Sequence, residues 1–193
     1  MARNTVDGGL LNEKPGPIYF GIDPSLTGFA LTAYAPSGAY MSWLYKSPNK
    51  GIHRLMDISD WLRDRTLALT IGGFTVADVA VEDTVVSSFA SVAMGELAAV
   101  VRLACYHYIG GEGSYPVKVP PTMVKKFATN KGNAKKNEVM LGVYKNFGVE
   151  FADDNMADSY VIARISAKVA NHLYQQDVLT KLADPKFRDP PKV

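Results

Sequence analysis

The stretch Ile18-Tyr19-Phe20-Gly21-Ile22-Asp23-Pro24-Ser25-Leu26-Thr27-Gly28-Phe29-Ala30-Leu31-Thr32 constrains this chain more than any other. An apolar run ends in one aspartate, crosses a Pro/Ser/Gly turn and resumes as a second apolar run. The flanks predict two strands of a hairpin, both deep in a sheet. A carboxylate at the end of a buried strand is costly unless a partner compensates its charge. A cation is one such partner. The competing interpretation is a turn aspartate bonded to its own backbone, a common role beside Pro and Ser.

The bounds on chemistry are simple. A chain of 193 residues is long enough for one domain with a full core. No uninterrupted apolar run reaches about eighteen residues, so no membrane span is expected. Met1 to Pro17 is polar and lacks an apolar signal core, which predicts a cytoplasmic protein. The single cysteine, Cys105, excludes an internal disulfide and falls in an apolar helical pattern as a buried filler. Three scattered histidines and that cysteine give no zinc spacing. Any metal should be a hard cation on oxygen ligands.

Along the chain, Met1 to Gly16 has no period and predicts a loose arm. Ala39 to Lys46 predicts a third strand, which short turns join to the hairpin as an antiparallel meander. Gly51 to Leu69 has the apolar set Ile52, Leu55, Met56, Ile58, Trp61, Leu62 and Leu67 near helical spacing, with charges between, which predicts an amphipathic helix. Val76 to Asp83 predicts a central strand that ends in acid. Reached through a helical crossover, it should run parallel to the first strand. Val86 to Ile109 predicts a long helix and Tyr115 to Val119 a fifth strand. Further helices are predicted over Thr122 to Ala128, Lys135 to Phe147 and Asp153 to about Tyr174, and Asp177 to Val193 as a mobile tail. The expected architecture is an α/β fold on a mixed five-stranded sheet, three antiparallel strands followed by parallel ones, flanked by helices. The ordered domain should span 17–176.

Two carboxylates, Asp23 and Glu82, end strands expected to be neighbours, and ligands in open α/β sheets bind at such carboxyl ends. Asp154, Asn155 and Asp158 open the last long helix at spacings that let pairs share a face. Asp153 and Asp154 are also natural helix caps. Carboxylates gathered at one edge repel unless divalent cations bind among them. Magnesium on a few carboxylates, completed by substrate phosphate, suits such a set. Two such ions can promote phosphodiester cleavage by in-line attack, leaving 5′-phosphate and 3′-hydroxyl ends. From Ser114 to Asn137 there is no acid, while Lys118, Lys125, Lys126, Lys131, Lys135 and Lys136 all fall inside. That block suits a polyanion, with a solvated lysine face as the alternative.

Five segments in order resemble the RuvC-type Holliday-junction resolvases. They are Gly21-Ile22-Asp23-Pro24-Ser25, Val81-Glu82, Pro120-Pro121-Thr122-Met123-Val124-Lys125-Lys126, Gly132-Asn133-Ala134-Lys135-Lys136 and Asn155-Met156-Ala157-Asp158-Ser159. The resemblance covers about residues 18 to 170 and implies an RNase H-like fold. It also implies a homodimer, and magnesium-dependent paired nicking of four-way DNA junctions, with manganese able to substitute. It places Asp23, Glu82 and Asp158 at catalytic, metal-ligating positions. The fourth family position is here Asn155, which ligates only weakly, and Asp154 is the candidate for the missing carboxylate. Lys125, Lys126, Lys131, Lys135 and Lys136 would hold DNA. Val85 stands where the family has an aromatic, and Phe89 is a candidate for stacking on an opened base, with a core role as its alternative. The resemblance further implies a divergent, phage-like member at work in a bacterial or phage-infected cell, acting on junctions and other branched DNA. No membrane partner is expected.

Two other functions fit parts of the pattern. A branched-DNA-binding scaffold with weak or dead chemistry would explain Asn155. An actin-like kinase would explain Thr27-Gly28, but the chain is too short for its two lobes.

Overall fold

The predicted hairpin and meander are formed by β2 (Pro17–Asp23), β3 (Phe29–Tyr34) and β4 (Tyr40–Lys46), all antiparallel. The computed structural model describes residues 3–83, 91–109 and 115–188. After α1 (Gly51–Ile71) the chain enters β5 (Thr75–Glu82), which lies parallel to β2, and β6 (Val117–Val119) lies parallel to β5. The crossover argument therefore gives the right strand direction.

The sheet has six strands rather than five, in the order β1-β4-β3-β2-β5-β6. The extra strand is β1 (Arg3–Gly8), which pairs antiparallel with β4 in a stretch expected to be a loose arm. Its pairing rests on backbone hydrogen bonds to an otherwise open edge, so no apolar alternation announces it.

Successive strand residues point to opposite faces. Ile18, Phe20, Ile22, Phe29, Leu31, Val79 and Val81 share one core with α1 and α2 (Ser91–Ala104). Helix α2 continues into a π-helical turn, Cys105–Ile109, where Cys105 is buried. Val92–Ile109 has a mean hydropathy of 1.2 and by length and composition alone could cross a membrane, where no span was expected because Glu96 and Arg102 interrupt the apolar run. Here Leu97, Val101, Ala104, Cys105 and Ile109 are its buried side.

The opposite face carries α3 (Pro121–Thr129), α4 (Lys136–Phe147) and α5 (Asp154–Ser166). Across four strands, Ser42, Thr32, Gly21 and Ala80 stand in one register, a row of small residues. Helix α5 lies on that row. A Cβ at Gly21 would fall 2.1 Å from the Ala163 nitrogen and 2.2 Å from the Ser159 oxygen, so only glycine admits the helix. The Thr32 hydroxyl then links Ser42 at 2.7 Å to Ser159 at 2.8 Å, tying α5 to β3 and β4.

The last long helix ends at Ser166 rather than near Tyr174. Lys168 takes a left-handed φ of 56°, and its N–H bonds the Ile165 carbonyl while that of Val169 bonds Arg164. This is a Schellman stop without its usual glycine, which is why the sequence hides it. Helix α6 (Leu173–Leu182) follows, and Gln175 pins it by donating to the Phe127 carbonyl at 2.9 Å. Beyond it, Arg188 donates to Asp78 at 2.6 Å and to the Tyr115 carbonyl at 2.8 Å. Residues 177–188, expected to be mobile, are thus strapped to the sheet.

Arg164 is buried near the end of α5. It donates to the Tyr34 hydroxyl at 3.1 Å and to Asn171 at 3.2 Å, and lies 4.2 Å from the Phe147 ring centre.

Candidate active site

Strand alternation sets the site. Asp23 follows Gly21, and Glu82 follows Ala80, so both acids end their strands on the α5 face. The start of α5 supplies the rest. Asp153 caps it by accepting the Asn155 N–H at 2.9 Å, Asp154 is its first residue, and Asp158 follows one turn later.

These acids feel one another. Asp23 is only 6% exposed. Burial pushes its carboxyl well above the usual range, and Glu82 and Asp158 push it further. Asp23 and Glu82 act on each other directly, an interaction that raises Asp23 and lowers Glu82. Burial also raises Glu82, against the pull of that interaction and of Lys125 and Lys136. Asp158 is pushed up to about 7 by burial, then by Glu82 and Asp154.

The acids predicted to meet are therefore brought into mutual range. They do not close into a cage. Among the described residues no three His, Cys, Asp or Glu side chains converge tightly enough to hold a metal ion by themselves. A pair of carboxylates at adjacent strand ends with a third in electrostatic range fits magnesium all the same, because that ion typically takes one or two carboxylates and leaves positions for water and phosphate. Asp154 is ion-paired with Lys136. Asn155 faces elsewhere: a Cβ at Gly28 would lie 2.9 Å from its amide nitrogen, which places that side chain against the β2–β3 turn.

Of the lysines, Lys125 and Lys136 act on the acids, while Lys131 lies 3.8 Å from Glu138 at the surface. Lys125 and Lys126 are half-buried on α3, and Lys135 is exposed at the cap of α4. Phe89 and Val85 lie outside the described residues. Sequence reasoning missed the Thr32–Ser42–Ser159 chain beneath the acids. Its signal was the small and hydroxyl residues at matched positions in neighbouring strands.

The raised acids fix a sign for stability. A carboxyl whose folded pKa lies above its unfolded value stabilises the fold while protonated, and that contribution is lost as pH rises through the window from about 4 to about 7. The cation-free protein is therefore expected to be less stable at pH 8 than at pH 5, on the order of 2–4 kcal/mol. Millimolar magnesium or manganese at pH 8 should restore it. Thermal melts with and without chelator check both, and equal melting at the two pH values without cation would contradict this electrostatic account.

The sheet order, the helix placement and the position of the acids at the carboxyl ends of β2 and β5 define an RNase H-like fold of RuvC type. Among solved structures, the "Thermus thermophilus RuvC structure" matches 90% of this chain and 99% of its own, at 20% identity and a TM-score of 0.59. T. thermophilus RuvC in complex with a Holliday junction substrate matches 76% of this chain and 90% of its own, at 23% identity and a TM-score of 0.57. At these identities the likeness establishes the fold. No protein-family model and no curated protein matches the chain.

Proposed function

We propose that this protein is a divalent-cation-dependent endonuclease that resolves four-way DNA junctions by paired nicks. The observation that carries this reading is the placement of Asp23 and Glu82 at the ends of adjacent parallel strands, where they act on each other with Asp158 in electrostatic range. That the same fold is seen in RuvC bound to a Holliday junction supports the choice of substrate.

Asp23 and Glu82 would hold the cation, and Asp158 would complete its charge balance. A magnesium ion bound there supplies positive charge for the phosphate and a more acidic water. The chain's own residues do the remainder. Asp23 and Glu82 would bind the cation in their ionised forms. Lys125, Lys126, Lys131 and Lys135 hold phosphates along the duplex arms. Replacing any one that contacts a phosphate should lower the slope of log affinity against log salt by about 1. Unchanged slopes for all four would assign the block to solvent.

The direct test is nicking of a labelled four-way junction beside a linear duplex, with magnesium, manganese or chelator. Cation-dependent, symmetric cuts on the junction are expected. Binding without cutting under every cation would instead support a scaffold, the reading favoured by the open acid cluster and by Asn155.

Paired cuts need two sites, and a twofold dimer supplies them. Ile52 and Met56 on α1 and Leu103 and Tyr108 on or after α2 form an exposed apolar groove suited to a second copy. Leu103→Lys should weaken the dimer at least tenfold in light scattering and convert paired nicks to single ones. An unchanged mass with paired nicks would place the interface elsewhere.

A further inference from the structure

We infer, on the nuclease reading above, that the Lys136 ammonium fills the place beside Asp154 that a second divalent cation would need, so the site takes one cation per protomer. Lys136 is the first residue of α4, and its position is fixed from the backbone. The Lys135 N–H donates to Glu138 at 2.8 Å, which sets the start of the helix, and the neighbouring Ala134 is buried. From there the side chain crosses to α5 and pairs with Asp154.

The Lys136 side chain is 78% exposed and that of Asp154 32%. A pair so open to water adds little to folding stability. Its consequence lies in where it puts charge. When ionised, Asp23, Glu82, Asp154 and Asp158 carry four negative charges. Lys125 and Lys136, which act on this cluster, return two. The remainder matches a single divalent ion. A second ion would leave an excess even after one substrate phosphate joined.

Ligand supply points the same way. Asp154 already gives Oδ2 to Lys136, so a second ion at Asp154 would sit beside an ammonium of the same sign. Asn155 brings no charge and lies against Gly28. One ion would be held by Asp23, Glu82 and the incoming phosphate. The fixed ammonium then supplies the second positive charge near the phosphate as it gains charge on the way to cleavage.

The test counts bound manganese on the full chain at pH 8 by the loss of the free-ion EPR signal. One ion per protomer is expected for the wild type and for Lys136→Arg. Lys136→Met, which keeps the stem and removes the charge, should bind two. Because Lys136 is exposed, the variant is expected to fold, and circular dichroism with a thermal melt checks this. Two ions on the wild type, or one on a folded Lys136→Met, overturns the assignment and leaves a metal-dependent nuclease standing. No bound ion on the wild type overturns the nuclease reading and this inference together.

Discussion

Asp23→Asn is expected to abolish nicking and at the same time to stabilise the protein. On the proposed function, in which Asp23 holds the cation, its removal should lower the cleavage rate by about a thousandfold or more, the scale of loss seen when a principal catalytic group is deleted. Yet Asp23 is buried beside Glu82 and pays for that position in the cation-free state, since both carboxyls are raised by burial. The amide keeps the shape and removes the charge. The melting temperature of the cation-free variant at pH 8 should therefore rise by several degrees, and its dependence on pH should flatten. Gel-based nicking and melts in chelator measure the two effects on one sample. Activity that survives the substitution would remove Asp23 from the chemistry. A fall in stability would mean that its carboxylate is structural.

Gly21→Val carries the second large effect, by a different route. The atoms a Cβ would meet are backbone: the Ala163 nitrogen at 2.1 Å, the Ser159 oxygen at 2.2 Å and the Ala163 Cα at 2.7 Å. None is the end of a flexible side chain, so α5 itself must move off the sheet. The cost is expected to be about 3–5 kcal/mol, as for severe overpacking. Displacing α5 also carries Asp158 away from Glu82. Urea unfolding should show the midpoint fall, or the variant should fail to fold. Gly28→Ala provides the contrast, because its Cβ meets the movable end of Asn155 at 2.9 Å and should cost far less. Equal losses at the two positions would show that close helix approach is not what Gly21 serves.

Much of this architecture is legible in the residues. The Gly-Ile-Asp-Pro-Ser stretch marks the hairpin, and the acid at the end of Val79-Ala80-Val81-Glu82 marks a parallel neighbour, because short apolar strands and crossovers leave strong periodic traces. The elements that were misjudged lack such traces. Strand β1 is polar and pairs through its backbone. The stop at Lys168 uses a left-handed lysine where glycine would have shown it. The packed tail depends on Arg188 reaching Asp78, 110 residues earlier. At the site, the sequence named acids that the structure brings within electrostatic range of one another, but not the pairing of Asp154 with Lys136. That Lys136 belongs to Asp154 is a matter of where α4 and α5 begin relative to each other, and no spacing along the chain encodes it.

Arg164 gives helix α5 an unusual mechanical property. Its partners are phenol hydroxyls, an amide and aromatic rings, none of which changes charge where carboxylates do. Guanidinium itself stays charged throughout. The grip on that end of the helix is therefore the same in mild acid and at neutrality. The helix behaves as a beam fastened twice, by the Ser159 hydroxyl beside the acids and by Arg164 at the far end, so changes of charge among the acids meet a support that does not shift with them.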